Sequence, residues 1–336
     1  MVIGQESQEV EREKMAIMRI LKDTQKPVGS KIIARQLKEG YGISLSERAV
    51  RYHLRLLDEQ GLTSKVSRRD GRVITEMGSD EIDNAMVSDK VGFAIDKIEQ
   101  LAFQSTFEPT TLNGQIPVNI SFFPEEKFKT ALRTMRGAFD KDICVSRLVA
   151  IARQEERLGG VPVPEGKTGM ATVCGLVING ALLKAGIPMD SRFGGILQLK
   201  KGKPWRFTEI IEYSGTSLDP SEIFISSRMT SVCKVVESGE GKILANFREI
   251  PAMCLPLAKE IFNELDKVGI DGLLAIGETG KPLCEIPIGL NKVGLVMVGG
   301  LNPVAAAVES GIEVTNKAMS GLMDFKELSD FSAIKY

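Results

Sequence analysis

Three short runs of helical periodicity, a basic hairpin directly after them, and a long remainder of strand-like and helix-like runs broken by glycine predict a mixed α/β chain. The expected architecture is an N-terminal winged helix-turn-helix over residues 1–80, followed by an α+β domain with mixed sheets over residues 81–336.

The first helix is expected over residues 10–22, where Met15, Ile17, Met18 and Leu21 recur at helical spacing and Pro27 stops the run. Ser30 offers an N-cap for a second helix that carries Ile33, Ala34 and Leu37 and ends at Gly40. Ser44-Leu45-Ser46-Glu47 reads as a capping box, with Ser44 as cap and Glu47 reaching back. The third helix then runs to about Gln60, with Gly61 beyond its end. At about 100° per residue, Val50, Leu54 and Leu57 fall on one side of it. Arg48, Arg51, Tyr52 and Arg55 fall on the other. His53 lies toward the packed side and reads as structural.

Leu62 to Ser67 and Arg72 to Glu76 read as strands joined through Arg68-Arg69-Asp70-Gly71, and Asp-Gly is a strong hairpin turn. A basic helix face alone is most simply a solvated surface. Followed by an arginine-tipped hairpin, it has the order of a winged helix, whose third helix enters the major groove while the wing touches the backbone or minor groove. Guanidinium groups suit guanine edges and phosphates. The candidate DNA-contact residues are therefore Ser46, Arg48, Arg51, Tyr52, Arg55, Arg68, Arg69 and Arg72.

Residues 82–103 form an amphipathic helical stretch expected to join the two domains and to add to a dimer contact. Beyond it, strands are expected at Val118–Phe122, Cys174–Ile178, Gly195–Leu199, Glu222–Ile225, Leu273–Ile276 and Val293–Val298. Helices are expected at 124–138, 180–186, 256–268 and 303–310. Faint echoes link Gly195-Ile-Leu-Gln-Leu with Gly272-Leu-Leu-Ala-Ile, and Gly175-Leu-Val-Ile with Gly294-Leu-Val-Met. They occur in opposite order, so they hint at pseudo-symmetric halves without a tandem repeat.

The charge is unevenly placed. Net charge over all 336 residues is −1, yet residues 26–75 hold eleven Lys or Arg against five acids. That window is +6 and the remainder −7, which marks a polyanion-binding end. The five cysteines (Cys144, Cys174, Cys233, Cys254, Cys284) form no C-x-x-C pair, and His53 is the sole histidine. No metal site, His-based nucleophilic mechanism or phosphate-binding loop is expected, and the chain reads as a non-enzyme. A polar, acid-rich start and the absence of an unbroken apolar run point to a cytoplasmic protein with no membrane partner and no bound cofactor.

Several glycine-led segments look like ligand architecture. Gly166-Lys167-Thr168-Gly169 and Phe193-Gly194-Gly195 can expose N–H groups to an anion. Each cluster alone is most simply a tight turn. Beside a DNA-reading unit they point to an effector pocket for a small anion. The candidate set is Thr168, Gly169, Thr172, Cys174, Asn179, Arg192, Gly194, Gly195, Arg206 and Thr216.

Longer strings carry a resemblance. TVCGLVINGALLKAGIP (172–188), RFGGILQ (192–198), KPWRFTEIIEYSGTSLDPSEIFI (203–225), TSVCKVVESGEGKILANFREIP (230–251) and VGGLNPVAAAVESGIE (298–313) make the chain, from about Met15 to Asp324, resemble the NrpR family of archaeal nitrogen-regulatory repressors. The resemblance implies a repressor of nitrogen-assimilation and nitrogen-fixation genes that binds operator palindromes as a homodimer. It implies 2-oxoglutarate as the allosteric effector that releases the DNA. Cys174, in the most family-like string, is expected to line or border the effector pocket. Some members carry two regulatory domains, and this chain has room for one. That implies the split form, with a second NrpR-domain protein as a partner. The alternative is a co-regulator whose winged helix or regulatory domain docks on such a subunit or on basal transcription factors.

Overall fold

The computed structural model describes residues 3–24, 26–67, 71–84 and 92–334. They form two compact units, Met1–Lys90 and Val91–Tyr336.

In the first unit, α1 (Ile3–Thr24), α2 (Ser30–Tyr41) and α3 (Glu47–Glu59) surround one core. Ile17 and Leu21 of α1, Ile33 and Leu37 of α2, and Val50, Leu54 and Leu57 of α3 are buried there. Each such side chain contributes about 1.5–3 kcal/mol by leaving water. β1 (Thr63–Ser67) and β2 (Gly71–Ile74) pair antiparallel, and Val28 bridges to Arg72 as a third strand. α4 (Glu76–Asn84) returns against α1.

Several local expectations need correction. α2 starts one residue earlier than a Ser30 cap implies, because Gly29 is the N-cap, and it runs past Gly40 to a left-handed cap at Gly42. α3 is capped by Ser46, not Ser44: the Ser46 hydroxyl accepts from the Ala49 N–H at 3.2 Å. Glu47 then stands at the first helical position and cannot close a capping box. The stretch over 82–103 is not one described helix. Its first part ends α4, and α5 (Phe93–Gln104) begins after Gly92.

The second unit is a duplicated βαββαβ arrangement. Its first half runs β3 (Gln115–Pro124), α6 (Glu125–Asp140), β4 (Leu148–Ala152), the small hairpin β5 (Arg157–Leu158) and β6 (Val161–Pro162), β7 (Lys167–Val173), α7 (Leu176–Lys184) and β8 (Asp190–Lys200). Then come β9 (Lys203–Glu212), α8 (Pro220–Ser226) and α9 (Val232–Ser238). The second half repeats the pattern: β10 (Gly241–Pro251), α10 (Leu255–Lys267), β11 (Leu273–Ile276), β12 (Lys292–Val298), α11 (Asn302–Glu309) and β13 (Thr315–Asp324). A short β14 (Ser329–Asp330) follows.

The halves exchange their last strands. One sheet has the order β13-β3-β7-β4-β14 and the other β11-β12-β10-β8-β9. Thus β8 of the first half pairs with β10, and β13 of the second pairs with β3. The preceding helices cross too, since α11 packs on α6 and α7 on α10. Both crossings are made by matching strings, Val173-Cys174-Gly175-Leu176 and Val298-Gly299-Gly300-Leu301. Each later turns through a left-handed glycine, Gly186 or Gly311.

The mixed α and β architecture holds. Every described strand pairing is antiparallel, so the sheets are not mixed in direction; a split βαβ motif interleaves its strands in that sense. The echo pairing Gly175 with Gly294 is off register, because Gly175 corresponds to Gly300. Two segments expected as strands are helical: Cys174–Ile178 leads into α7, and Glu222–Ile225 lies in α8. Their β-branched and apolar runs are short buried helices, which apolar periodicity does not separate from buried strands.

Candidate functional site

On α3, Val50, His53, Leu54 and Leu57 are buried, while Arg48, Arg51, Tyr52 and Arg55 are exposed. His53 faces inward, with Nε2 3.0 Å from the Glu13 carboxylate on α1. The outer face is therefore a continuous strip of three guanidinium groups and a phenol. The Arg55 guanidinium stands over the Tyr52 ring at 5.6 Å. Arg51 Nη1 meets Glu47 at 3.0 Å, and Arg55 Nε meets Glu59 at 3.5 Å. Arg72 stands apart from this strip. Its Nε donates to Asp58 at 2.7 Å, and Asp58 also accepts from the Thr63 hydroxyl at 2.6 Å. Arg72 thus ties the wing to α3. Arg68 and Arg69 lie outside the described residues.

The second unit holds a cavity, open in part to solvent, where the two halves cross. Cys174 and Gly175 form one wall and Gly299 and Gly300 the equivalent one. Asn119 and Asn246 occupy matching places on β3 and β10, each five residues before a proline that ends the strand. The N–H groups of Gly175, Gly300 and Leu301 meet no carbonyl among the described residues. Leu176, Leu244, Leu301 and Phe224 give the cavity an apolar middle.

Arg248 decides the electrostatics. It is 3% exposed, lines the cavity, and makes no ion pair with any described carboxylate. Nη1 donates to the Gly175 carbonyl at 3.2 Å, and Nε has no partner. Burial lowers its pKa, but a guanidinium remains charged. Beside it, the Tyr213 hydroxyl donates to Asn246 Oδ1 at 2.5 Å, and burial pushes the phenol upward. Burial pushes the Cys174 thiol up to about 11, so it is protonated near neutrality. Asp219, which caps α8 through the Ser221 N–H at 2.8 Å, is likewise raised by burial. The lining brings together the Arg248 guanidinium, the Asn119 and Asn246 amides, the Tyr213 hydroxyl, the Cys174 thiol, the Asp219 carboxyl and apolar side chains. It suits a small organic anion.

Of the ten effector candidates read from sequence, Cys174, Gly194 and Gly195 line this cavity. The other seven lie elsewhere. Thr168, Gly169 and Thr172 are buried in β7. Asn179 donates to Ser191, and Arg192 pairs with the buried Glu249 at 2.6 Å. Arg206 donates to Gln198 and stands over Trp205, and Thr216 bonds within its own turn. Sequence reasoning missed Arg248, Asn119, Asn246, Tyr213, Asp219 and the Gly299-Gly300 pair. The available signal was the V-C-G-L and V-G-G-L match. Among the described residues no cluster of His, Cys, Asp and Glu is suited to a metal ion, and no helix is long and apolar enough to cross a membrane.

Comparison with known proteins agrees with this division. Residues 15–82 match the ribonuclease R winged-helix domain, and residues 91–330 match NrpR regulatory domains NRD1 and 2. The chain is 39% identical over 322 residues to the global nitrogen regulator NrpRI of Methanosarcina mazei, covering 96% of this chain and 98% of that one. It is 33% identical over 322 residues to the global nitrogen regulator NrpR of Methanocaldococcus jannaschii, covering 95% of this chain but only 55% of that longer protein. Among solved structures, a nitrogen repressor-like protein from Methanococcus jannaschii matches 71% of this chain and 98% of its own, with a TM-score of 0.61 and 26% identity. By these matches across both of its units, the chain belongs to the NrpR family.

Proposed function

We propose that this protein is a nitrogen-responsive transcriptional repressor. It binds operator DNA as a homodimer through the outer face of α3 and is released when 2-oxoglutarate fills the cavity between the crossing halves. The relatives' names as global nitrogen regulators and the winged-helix match support the first part. The observation that carries the second is Arg248, a buried guanidinium that forms no ion pair among the described residues and whose Nε has no partner. A buried charge is costly unless paired, so a ligand carboxylate is the natural partner. 2-Oxoglutarate is a short dianion with a keto group. Arg248 takes one carboxylate, and the free N–H groups of Gly300 and Leu301 suit the other end. In this reading no chemistry is performed on the ligand, in keeping with a Cys174 thiol held protonated.

A ligand touching both crossover strings favours one arrangement of the two halves over another. Moving a population from 1:99 to 99:1 takes roughly 5.5 kcal/mol of differential affinity, about half of it per site in a dimer. Titration of 2-oxoglutarate into a preformed complex of the full chain with promoter DNA tests the scheme. Dissociation at millimolar effector is expected. Undiminished DNA binding would remove the effector switch and leave the DNA reader standing. Size-exclusion chromatography with light scattering, with and without a second NrpR-domain protein, tests the homodimer and the split-partner arrangement.

A further inference from the structure

The recognition helix is electrically self-balanced. Between Glu47 and Glu59 it carries Arg48, Arg51 and Arg55 against Glu47, Asp58 and Glu59, a net charge of zero. The basic surplus of the N-terminal region therefore does not come from the helix expected to meet the duplex. Within that helix the acids are placed on the arginines. Glu59 stands one turn beyond Arg55, and Glu47 one turn before Arg51.

Glu47 does more than balance charge. Its Oε1 accepts from Arg51 Nη1 at 3.0 Å and also from the Ser30 hydroxyl, the first residue of α2, at 3.1 Å. A guanidinium and a hydroxyl converging on one exposed carboxylate oxygen are the donors that DNA-binding proteins use on phosphate oxygens. We propose that Glu47 is an affinity-limiting residue that occupies, with its own carboxylate, a seat for a DNA backbone phosphate formed by Ser30 and Arg51. This inference rests on the DNA-binding reading above.

The consequence falls on affinity that does not depend on sequence. Such affinity comes from phosphate neutralisation and counterion release. A carboxylate already in the seat must be displaced before a phosphate can enter, which weakens binding to every duplex by the same factor. The operator still binds because base contacts from the same arginine strip add to its affinity. Glu47 thus holds down the sequence-independent part of binding without changing the ratio between operator and random DNA.

The test uses the full chain and fluorescence anisotropy on a mixed-sequence duplex of about three helical turns, from about 0.1 to 0.4 M salt. Glu47→Gln is expected to steepen the log–log salt slope by about 0.9, one added phosphate contact, and so to tighten binding about eightfold at ~0.1 M salt. Glu59→Gln removes the same charge from a looser pair and is expected to have a smaller effect. Glu47→Asp keeps the charge but shortens the reach, and is expected to fall between wild type and Glu47→Gln; it also serves as the second variant should Glu47→Gln fold poorly. Equal gains from Glu47→Gln and Glu59→Gln would show a bulk-charge effect and overturn the seat. An unchanged slope in Glu47→Gln, with Arg51→Ala still weakening the wild-type complex, would overturn it while sparing the DNA reading. No duplex binding by wild type, or no effect of Arg51→Ala, would overturn both.

Discussion

Replacing Arg248 with methionine should separate stability from effector binding. A structural arginine contributes to both in the same direction; an arginine awaiting a ligand does not. In the free protein the guanidinium has one charge-assisted bond, to the Gly175 carbonyl at 3.2 Å, and an unpartnered Nε. Such a bond contributes about 1.5–3 kcal/mol, while the desolvation of a buried cation costs several kcal/mol. The two nearly cancel, so Arg248→Met should leave apo stability within about 1 kcal/mol of wild type or raise it. Methionine matches the apolar stem and does not overfill the cavity. The effector result should be the reverse. Loss of a charge-assisted carboxylate pair removes about 1.5–3 kcal/mol, or roughly 10- to 150-fold in affinity. Thermal denaturation with and without 2-oxoglutarate reads both quantities. At 100 times Kd a ligand stabilises wild type by about 2.7 kcal/mol, and the variant should lose most of that increment. An apo protein destabilised by more than about 2 kcal/mol that keeps its full effector-induced shift would make Arg248 a packing residue and end this account of the cavity.

Four further outcomes follow from the same geometry. Arg51→Ala should weaken binding to promoter DNA by about 1–3 kcal/mol if it reads a base edge, or flatten the salt slope by ~1 if it reads only phosphate; anisotropy titrations at two salt concentrations distinguish the two. Gly71→Ala should loosen the wing, because a Cβ there would meet the Val28 carbonyl oxygen at 2.3 Å and φ is +90°. A loss of about 2 kcal/mol or more is expected, read by chemical denaturation of the full chain. Burial raises the Asp219 pKa above the ordinary aspartate value, so the folded state holds the proton more tightly than the unfolded chain. The stability it adds is present below the unfolded value and is lost as pH rises through the folded one. Asp219→Asn, which keeps the cap on Ser221, should abolish that pH-linked loss in denaturation curves. Cys174, raised to about 11, should resist iodoacetamide at pH 7.5 in the folded protein; mass spectrometry finding it labelled before the chain unfolds would contradict its burial.

The first unit was legible because its signals are local. The alternation of Val50, Leu54 and Leu57 with Arg48, Arg51 and Arg55 is a property of one helix, and the coordinates return the same two faces. What sequence misplaced there was the cap. Ser44 and Ser46 are chemically equal candidates, and only the path of the chain from Gly42 into α3 selects Ser46. The second unit was legible in some of its elements, though not in β4, β7, β9, β10 or β13, and not in its site. β11, β12, α10 and α11 fall within a residue or so of the runs that marked them. The cavity depends instead on contacts far apart in the chain. Arg192 looked like an anion ligand, yet the register of β8 on β10 brings it to Glu249. Arg248 lay in a stretch not read as a strand, and β10 carries it inward to the Gly175 carbonyl.

The duplication also explains why the cavity has polarity. Backbone features at the crossing come in pairs: Gly175 with Gly300, Asn119 with Asn246, α7 with α11. A fully symmetric pair of halves would offer two equal ends. The side chains break that equality. The position of Arg248 on β10 corresponds to Ser121 on β3, two residues beyond each paired asparagine. Ser121 is buried and donates to Asn316 at 2.8 Å, so it closes its own half and leaves no charge behind. Arg248 therefore makes the cavity lining unequal between the halves, with no cation at the matching Ser121. Under the proposed effector reading, an extended dianion would enter in one orientation, with one carboxylate facing the guanidinium. Because the cavity walls are the two strands of chain that pass between sheets, a ligand held at both ends acts on the crossing itself, where a small shift is shared by both sheets.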